Sequence, residues 1–229
     1  MTSIFSIRQW PFFKVSARED ITLLLLIAFG FSTMLLISGI IVTGDIHFAW
    51  LEWNLFLAFV PYWMSGYIAA KPVVQKSRLL FWILSIVWLL FIPNAFYIIT
   101  DLFHLNEDIK DPSWFNLLIL FSFTWNGLLF GILSVRQMEK LLIRRFPRIN
   151  STLYLYPIMF LNAYGIYLGR YLRFNSWDII SDPGSIMLAT FKVFAHPAQH
   201  AGVWGMVAGY AFMMMLIYNS IKKLSRLRW

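Results

Sequence analysis

Residues 79–100 give the clearest indication of the architecture, and they read LLFWILSIVWLLFIPNAFYIIT. The run contains no charged residue and is long enough for a helix to cross a hydrocarbon core of about 30 Å, which takes about 20 residues. The whole chain has 229 residues, of which 59% are hydrophobic and only 13% are charged. Because a soluble domain of this size needs far more polar surface, the composition predicts an all-α membrane helix bundle.

Six apolar runs are long enough to be transmembrane helices. They are residues 21–43, 50–70, 79–100, 114–135, 152–172 and 202–221. The apolar stretch 185–194 is too short to cross the membrane, so we expect a short interfacial or re-entrant external helix before the last span. No long linker interrupts the chain, and residues 1–229 are therefore interpreted as a single integral membrane domain.

The basic residues predict the orientation of this six-span bundle. If the spans alternate in direction, most Lys and Arg residues fall on one side of the membrane, which the positive-inside rule makes cytoplasmic. Those residues are Arg8, Lys14, Arg18, Lys71, Lys76, Arg78, Arg136, Lys140, Arg144, Arg145, Arg148, Lys222, Lys223, Arg226 and Arg228. Both termini are thus predicted to be cytoplasmic, and topology rather than a nucleic-acid partner explains the net charge of +8.

A row of polar side chains follows the apolar part of the third span. Asn94, Tyr97, Asp101 and His104 share an arc of roughly 80° on an α-helix. Such groups cost free energy in an apolar setting unless they pair or serve a ligand. The row predicts a site in which Asp101 and His104 are candidate catalytic groups and Asn94 and Tyr97 bind substrate. Helix capping and hydrogen bonds between helices are the alternative interpretation.

A second polar group follows the fifth span on the same predicted outer side. It consists of Arg170, Arg173, Asn175 and Asp178. The planar fork of arginine suits phosphate or carboxylate, so these residues are candidate substrate-binding groups. The alternative is that the arginines pair with Asp178 or Asp101, or reach lipid phosphate from the membrane surface.

Histidine spacing raises the question of a metal cofactor. His196 and His200 are four positions apart, and with His104 they can form a zinc-like site that keeps one coordination position open. The motif lacks the glutamate of the zincin pattern, so a divalent metal such as zinc stays a hypothesis. The chain has no cysteine, which excludes Cys-ligated zinc, thiolate chemistry and a disulfide framework.

Small and polar residues within the spans predict how the helices pack. Asn126 is expected to form a hydrogen bond between helices. Three Gly-x-x-x-Gly motifs are expected to permit close helix approach; they begin at Gly127, Gly165 and Gly205.

Two longer motifs resemble those of a known family. The segments FIPNAFYIITDLFHL (91–105) and GIYLGRYLRFNSWD (165–178) are similar to the signatures of the bacterial multi-pass membrane family called domain of unknown function thirteen sixty-one. The segments WNLFLA (53–58) and LFSFTW (120–125) also resemble that family. The resemblance implies a multi-pass protein of the bacterial cytoplasmic (inner) membrane and implies no established activity.

Three functions are compatible with these features. The first is a membrane-embedded hydrolase or transferase that acts on a lipid-borne or anionic substrate. The second is a binding or transport protein for an anionic lipid or small molecule, although the predicted site is shallower than most carrier sites. The third is a structural or assembly component whose polar rows only join helices. The expected partners are the lipid bilayer and such a ligand, and the sequence does not indicate an oligomeric state.

Overall fold

The computed structural model describes residues 17–106 and 112–225, and it describes side chains within 21–105 and 112–225. Throughout these ranges the regular structure is helical and contains no strand, which confirms the predicted all-α class. Some of the residues behind the predicted orientation lie outside the described residues, namely Arg8, Lys14, Arg226 and Arg228, together with the side chain of Arg18.

The described helices include long and short elements. The long helices are α1 (Ala17–Thr43), α2 (Trp50–Ala70), α4 (Arg78–Tyr97), α5 (Ser113–Arg145), α6 (Thr152–Arg170) and α9 (Ala201–Leu224). The short helices are α3 (Pro72–Lys76), α7 (Asp178–Ser181) and α8 (Pro183–Ala195), and a 3₁₀ helix covers Ile98–Asn106 directly after α4.

The chain is a multi-pass membrane protein, with four helical segments that are long and apolar enough to cross a bilayer. These segments are Ile21–Thr43, Arg78–Leu105, Ser113–Arg145 and Ala201–Leu224. The predicted spans 50–70 and 152–172 also form helices, α2 and α6, but they are not among the four. Both contain a proline, an asparagine and several Trp or Tyr residues, which lower their mean hydropathy.

The long helices pack in a connected series. α2 packs against α4 and α5, α6 packs against α4 and α9, and α1 lies against α5. Two of the three glycine motifs lie at such contacts: a Cβ atom at Gly131 would meet the ring of Phe96, and one at Gly165 would meet the side chain of Pro93. The third prediction was wrong, because no described atom of a neighbouring helix lies within 4 Å of a Cβ built at Gly205 or at Gly209.

Buried polar side chains join the helices. The Asn126 amide nitrogen on α5 donates to the Ser32 hydroxyl at 2.9 Å and to the Ala28 carbonyl at 3.1 Å, both on α1. This confirms the predicted hydrogen bond between helices. At the other end of α5, the fully buried Glu139 accepts a hydrogen bond from the Tyr218 hydroxyl of α9 and also pairs with Arg136 and Lys222. The contacts with Tyr218 and Lys222 join α5 to α9.

The polar row of the third span is only partly α-helical. Asn94 and Tyr97 belong to α4, whereas Asp101 and His104 belong to the 3₁₀ helix that follows it. Residues three positions apart eclipse one another in a 3₁₀ helix, so Asp101 and His104 lie one above the other. The change of helix type alters the predicted α-helical arc, and it brings these two side chains toward a single neighbour on α6.

The predicted short helix at 185–194 corresponds to α8, which begins at Pro183 and ends at Ala195. The side chain of Asp182 caps it by accepting a hydrogen bond from the Ser185 backbone N–H at 3.2 Å. Hydrogen bonding to Ser185 lowers the pKa of the Asp182 carboxyl. Ile186 of this helix lines the cavity that contains the candidate site.

Candidate functional site

A cavity of about 660 Å³ lies between α2, α4 and α6, beneath the segment that connects α6 to α8. Six of the predicted site residues line it. They are Asn94, Tyr97, His104, Arg170, Arg173 and Asn175. The structure thus brings together residues from the third and fifth predicted spans that are about 70 positions apart in sequence. Asp101, Asp178, His196 and His200 are not among its described lining residues.

The cavity has a polar end and an apolar end. Arg170 and Leu161 both line it from α6, and their separation in sequence corresponds to roughly 13 Å along a helix axis. Tyr97 and Leu89 span a similar depth on α4. Leu57, Leu89 and Leu161 therefore line the inner end, while the arginines and His104 line the other. Ser176 of the connecting segment lies between the two ends, against the Leu90 carbonyl.

Arg170 is the best-held cation of this cavity. Its Nη2 atom lies 3.1 Å from Nε2 of His104, and its Nη1 atom lies 3.9 Å from Oδ1 of Asp101. Its guanidinium also lies 5.5 Å from the centre of the Phe103 ring. All three contacts come from the 3₁₀ helix, and the Arg170 side chain remains 20% exposed. The arginine is consequently fixed in position while part of its surface stays accessible to a ligand.

Asp101 lies behind Arg170 and is completely buried, with 0% of its surface exposed. Its Oδ2 atom accepts a hydrogen bond from the Asn54 side chain at 2.9 Å, and Oδ1 has no hydrogen-bond partner among the described residues. A buried carboxylate is stabilised by a nearby cation, and Arg170 is the cation that this one contacts. The geometry therefore favours a role for Asp101 in positioning Arg170 over direct contact with a substrate.

His104 contacts both Arg170 and the wall of α2. Arginine has hydrogen-bond donors but no acceptor, so Nε2 of His104 is the acceptor of this contact. The imidazole also packs against the Trp50 ring with 5.0 Å between centroids. His104 is thus held in the cavity wall with Nε2 directed at Arg170.

The connecting segment 173–176 closes one side of the cavity. The Asn94 amide donates to the Ser176 hydroxyl at 2.9 Å, and that hydroxyl donates to the Leu90 carbonyl at 3.2 Å. Arg173 adopts a φ of 59°, a left-handed conformation that is uncommon for residues other than glycine. Such strain persists only where surrounding contacts hold it, and here it accompanies an exposed arginine at the cavity mouth.

Asp178 shapes the start of α7. Its Oδ2 atom accepts a hydrogen bond from the Asn175 backbone N–H at 2.6 Å, and its Oδ1 atom accepts one from the Ser181 hydroxyl at 3.1 Å. These bonds hold Asn175 at the cavity. The structure therefore supports an indirect role for Asp178, through the turn that it stabilises.

The three histidines of the metal hypothesis do not form a cluster. His196 and His200 occupy the end of α8 and the start of α9, whereas His104 lies in the cavity wall. Across residues 17–106 and 112–225, no group of three or more His, Asp or Glu side chains is placed to hold a metal ion. The arrangement of the described residues does not support a zinc site built from these histidines.

Asn54 is a site residue that sequence reasoning missed. It lines the cavity from α2 and donates to Asp101. Its only signal in the sequence is an amide side chain within an apolar helix, which interhelical hydrogen bonding explains equally well. The Asn54 amide of the second predicted span and the Asp101 carboxylate of the third are therefore parts of one hydrogen-bonded site.

The fold and the cavity define a class of protein, the multi-pass helical membrane proteins with an amphipathic cavity at one end of the bundle. Residues 53–217 match the family described as protein of unknown function (DUF1361), and the chain belongs to that family. The match confirms the resemblance seen in the motifs at 91–105 and 165–178. No curated protein and no solved structure matches the chain.

Proposed function

We propose that this protein binds an anionic amphiphile, with the acidic headgroup at Arg170 and the apolar part along the leucine-lined end of the cavity. The observation that carries the proposal is the placement of Arg170, which is held by three contacts at the polar end of a cavity that becomes apolar about 13 Å further in. A ligand with one acidic and one apolar end matches both surfaces.

The charges of the lining support an anionic headgroup. Arg170 and Arg173 line the cavity, and no Asp, Glu or Lys is found among its described lining residues. A guanidinium has five N–H donors, and the contacts of Arg170 with Asp101 and His104 use only part of them. Donors therefore remain for a phosphate or carboxylate, which arginine binds through paired hydrogen bonds.

The proposal includes a topology. α2 and α6 pack against helices that are long and apolar enough to span, so we infer that they cross as well and make six spans. With both termini in the cytoplasm, the cavity opens on the opposite side, at the outer leaflet of a bacterial cytoplasmic membrane. α8 then lies at the outer membrane surface, which is consistent with the exposure of Met187, Leu188 and Phe191.

Cysteine labelling tests this topology, since the chain has no native cysteine. Ile180 of α7 and Lys140 of α5 are both exposed, and they lie on opposite sides in the proposed arrangement. A membrane-impermeant maleimide should label Ile180→Cys in intact cells and Lys140→Cys only after permeabilisation. Labelling of Lys140→Cys in intact cells would overturn the orientation.

A second function, a hydrolase or transferase acting on the bound amphiphile, is favoured by the position of His104. Its ring lines the cavity beside the arginine that would hold the substrate anion. Nε2 accepts from Arg170, so proton transfer through this atom requires the two side chains to separate. Turnover of a bound phospholipid by the purified protein, lost in His104→Gln, would establish this second function.

Binding of a short-chain anionic phospholipid to the detergent-solubilised protein tests the main proposal. Arg170→Gln should weaken binding about tenfold or more, because a charge-assisted hydrogen bond contributes about 1.5–3 kcal/mol. Arg170→Lys should fall between this variant and the unmodified protein, since a point charge replaces a fork. Arg148→Gln, an exposed arginine outside the cavity, is the matched control. Equal binding by Arg170→Gln and Arg148→Gln would contradict the proposal.

A further inference from the structure

We infer that the headgroup bound in this cavity is a monoanionic phosphodiester that carries hydroxyl groups, and that the cavity discriminates against headgroups with an ammonium. The inference rests on the proposed function, and it concerns the same cavity. It follows from the net charge around Arg170 and from the neutral polar groups that line the same end.

Among the described residues, the charged side chains that line this cavity are both cationic, and the buried Asp101 offsets part of their charge. Arg170 and Arg173 are the cations that line it, and the buried carboxylate of Asp101 contacts Arg170. A limited excess of positive charge suits a phosphodiester, which carries one negative charge.

A doubly charged phosphate monoester fits this balance less well. Its two negative charges would both need compensation from Arg170 and Arg173, although Arg170 already contacts the Asp101 carboxylate. Asp178, which holds Asn175 at the cavity, adds negative charge near the mouth. The carboxylates of Asp101 and Asp178 therefore both oppose a second negative charge on the ligand.

Neutral hydrogen-bonding groups lie beside the arginines. The Tyr97 side chain lines the cavity, and its hydroxyl has no hydrogen-bond partner within the described part of the chain. Asn94 uses its amide nitrogen to donate to Ser176 and Phe91, which leaves its side-chain oxygen as an acceptor. A ligand hydroxyl both donates and accepts, so it can bond to an amide and a phenol.

An ammonium group would find no carboxylate in the described lining. Asp178 does not line the cavity and its carboxylate is held by Asn175 and Ser181, and Asp101 is fully buried behind Arg170. The two guanidinium groups would repel the cation. The lining therefore disfavours a zwitterionic headgroup both by repulsion and by the lack of an accessible counter-ion.

A comparison of phospholipids with identical short acyl chains tests the inference. We expect phosphatidylglycerol to bind about tenfold or more tightly than phosphatidylethanolamine, which differs by an ammonium in place of hydroxyls. Phosphatidic acid should also bind more weakly than phosphatidylglycerol at pH 8, where its phosphate is largely doubly charged, since the second pKa of a phosphate monoester is about 6. Equal or tighter Arg170-dependent binding of phosphatidylethanolamine or phosphatidic acid would overturn the headgroup assignment while leaving the proposed function intact.

A soluble headgroup separates the lipid from a solute of the same chemistry. Glycerophosphoglycerol has the phosphodiester and the hydroxyls but no acyl chain, and it should bind at least a hundredfold more weakly than phosphatidylglycerol. Equal affinity would overturn the amphiphile of the proposed function and would support the headgroup chemistry. If no phospholipid shows binding that depends on Arg170, the proposed function fails first.

Tyr97→Phe tests the hydroxyl contact without removing the ring that packs near Gly169. The variant should bind phosphatidylglycerol about three- to tenfold more weakly, as expected for the loss of one neutral hydrogen bond, and should bind phosphatidic acid nearly as before. Tyr156→Phe is the control, because Tyr156 is exposed on α6 and does not line the cavity. The same loss for both lipids, or no loss for either, would contradict a contact with headgroup hydroxyls.

Discussion

The guanidinium of Arg170 and the imidazole of His104 form the central contact of the cavity, with 3.1 Å between Nη2 and Nε2. The two residues belong to different elements, α6 and the 3₁₀ helix after α4. Because arginine only donates, the imidazole accepts, and this contact directs the guanidinium. Substitution of His104 therefore alters how the Arg170 guanidinium is held, although Arg170 itself is unchanged.

His104→Gln should preserve much of the ligand affinity, whereas His104→Ala should reduce it about three- to tenfold. The amide oxygen of glutamine can accept from Arg170, and alanine has no acceptor. Titration of a short-chain anionic phospholipid into both variants measures the difference. Equal loss in the two variants would show that the hydrogen bond to Arg170 does not support binding.

Asp101→Asn should lower the free energy of unfolding by about 1–3 kcal/mol, because Arg170 then lacks the carboxylate that it contacts. The new amide can still accept from Asn54 through its oxygen, so the change removes mainly the charge. Thermal unfolding in detergent measures the effect. Asp178→Asn serves as a control, since its carboxylate bonds within an exposed turn.

Asp101 and Arg170 can be tested together in a double-mutant cycle. If Asp101 acts through Arg170, then Asp101→Asn should weaken ligand binding in the unmodified protein and have little further effect in Arg170→Gln, because contacting residues are not additive. Affinities for all four combinations measure the coupling. Fully additive losses would indicate that Asp101 contacts the ligand independently, as the catalytic hypothesis for this residue requires.

Gly165→Ala should destabilise the protein by about 1–3 kcal/mol, whereas Gly205→Ala should be neutral or stabilising by up to about 1 kcal/mol. A Cβ atom at Gly165 would overlap the Pro93 side chain of α4, but a Cβ atom at Gly205 meets no described atom. Both substitutions add one methyl group to the first glycine of a Gly-x-x-x-Gly motif, so Gly205→Ala is a matched control for Gly165→Ala. Comparable destabilisation would mean that α9 packs more closely than described.

The start of α8 should become less protected as the pH falls below about 4. Hydrogen bonds from Ser185 lower the pKa of the Asp182 carboxyl below its usual range, so the stabilisation is present above the unfolded pKa and is lost as the pH falls through the folded one. Hydrogen exchange of the α8 amides, corrected for the intrinsic pH dependence, measures this. Asp182→Ala should show low protection of the α8 amides at every pH. If the protection in that variant still falls with pH as in the unmodified protein, a group other than Asp182 causes the pH dependence.

Sequence patterns predicted much of the cavity. Asn94 and Tyr97 at the end of one apolar run, and Arg170 and Arg173 at the end of another, were expected to converge because both runs end on the same predicted side. The structure places all four in one cavity lining. The Asn126 hydrogen bond and the close approach at two glycine motifs were also predicted from sequence, since buried amides need partners and small residues permit close packing.

Other features depended on geometry that spacing does not encode. The change to a 3₁₀ helix at Ile98 realigned Asp101 with His104, and this alters which side chains each can reach. The burial of Asp101 behind Arg170 and the contribution of Asn54 depend on the position of α2, which is remote in sequence. His196 and His200 have suitable spacing for a metal, but spacing does not show whether His104 lies close enough to join them.

The distance between a bound lipid phosphate and the Arg170 guanidinium tests the central claim most directly. Solid-state NMR can measure dipolar coupling between ³¹P of phosphatidylglycerol and ¹⁵N-labelled arginine side chains in membranes. We predict a coupling that corresponds to about 4 Å, as for a guanidinium hydrogen-bonded to phosphate. It should disappear in Arg170→Gln and persist in Arg148→Gln. The same coupling in both variants, or none in the unmodified protein, would contradict binding of the anionic headgroup at Arg170.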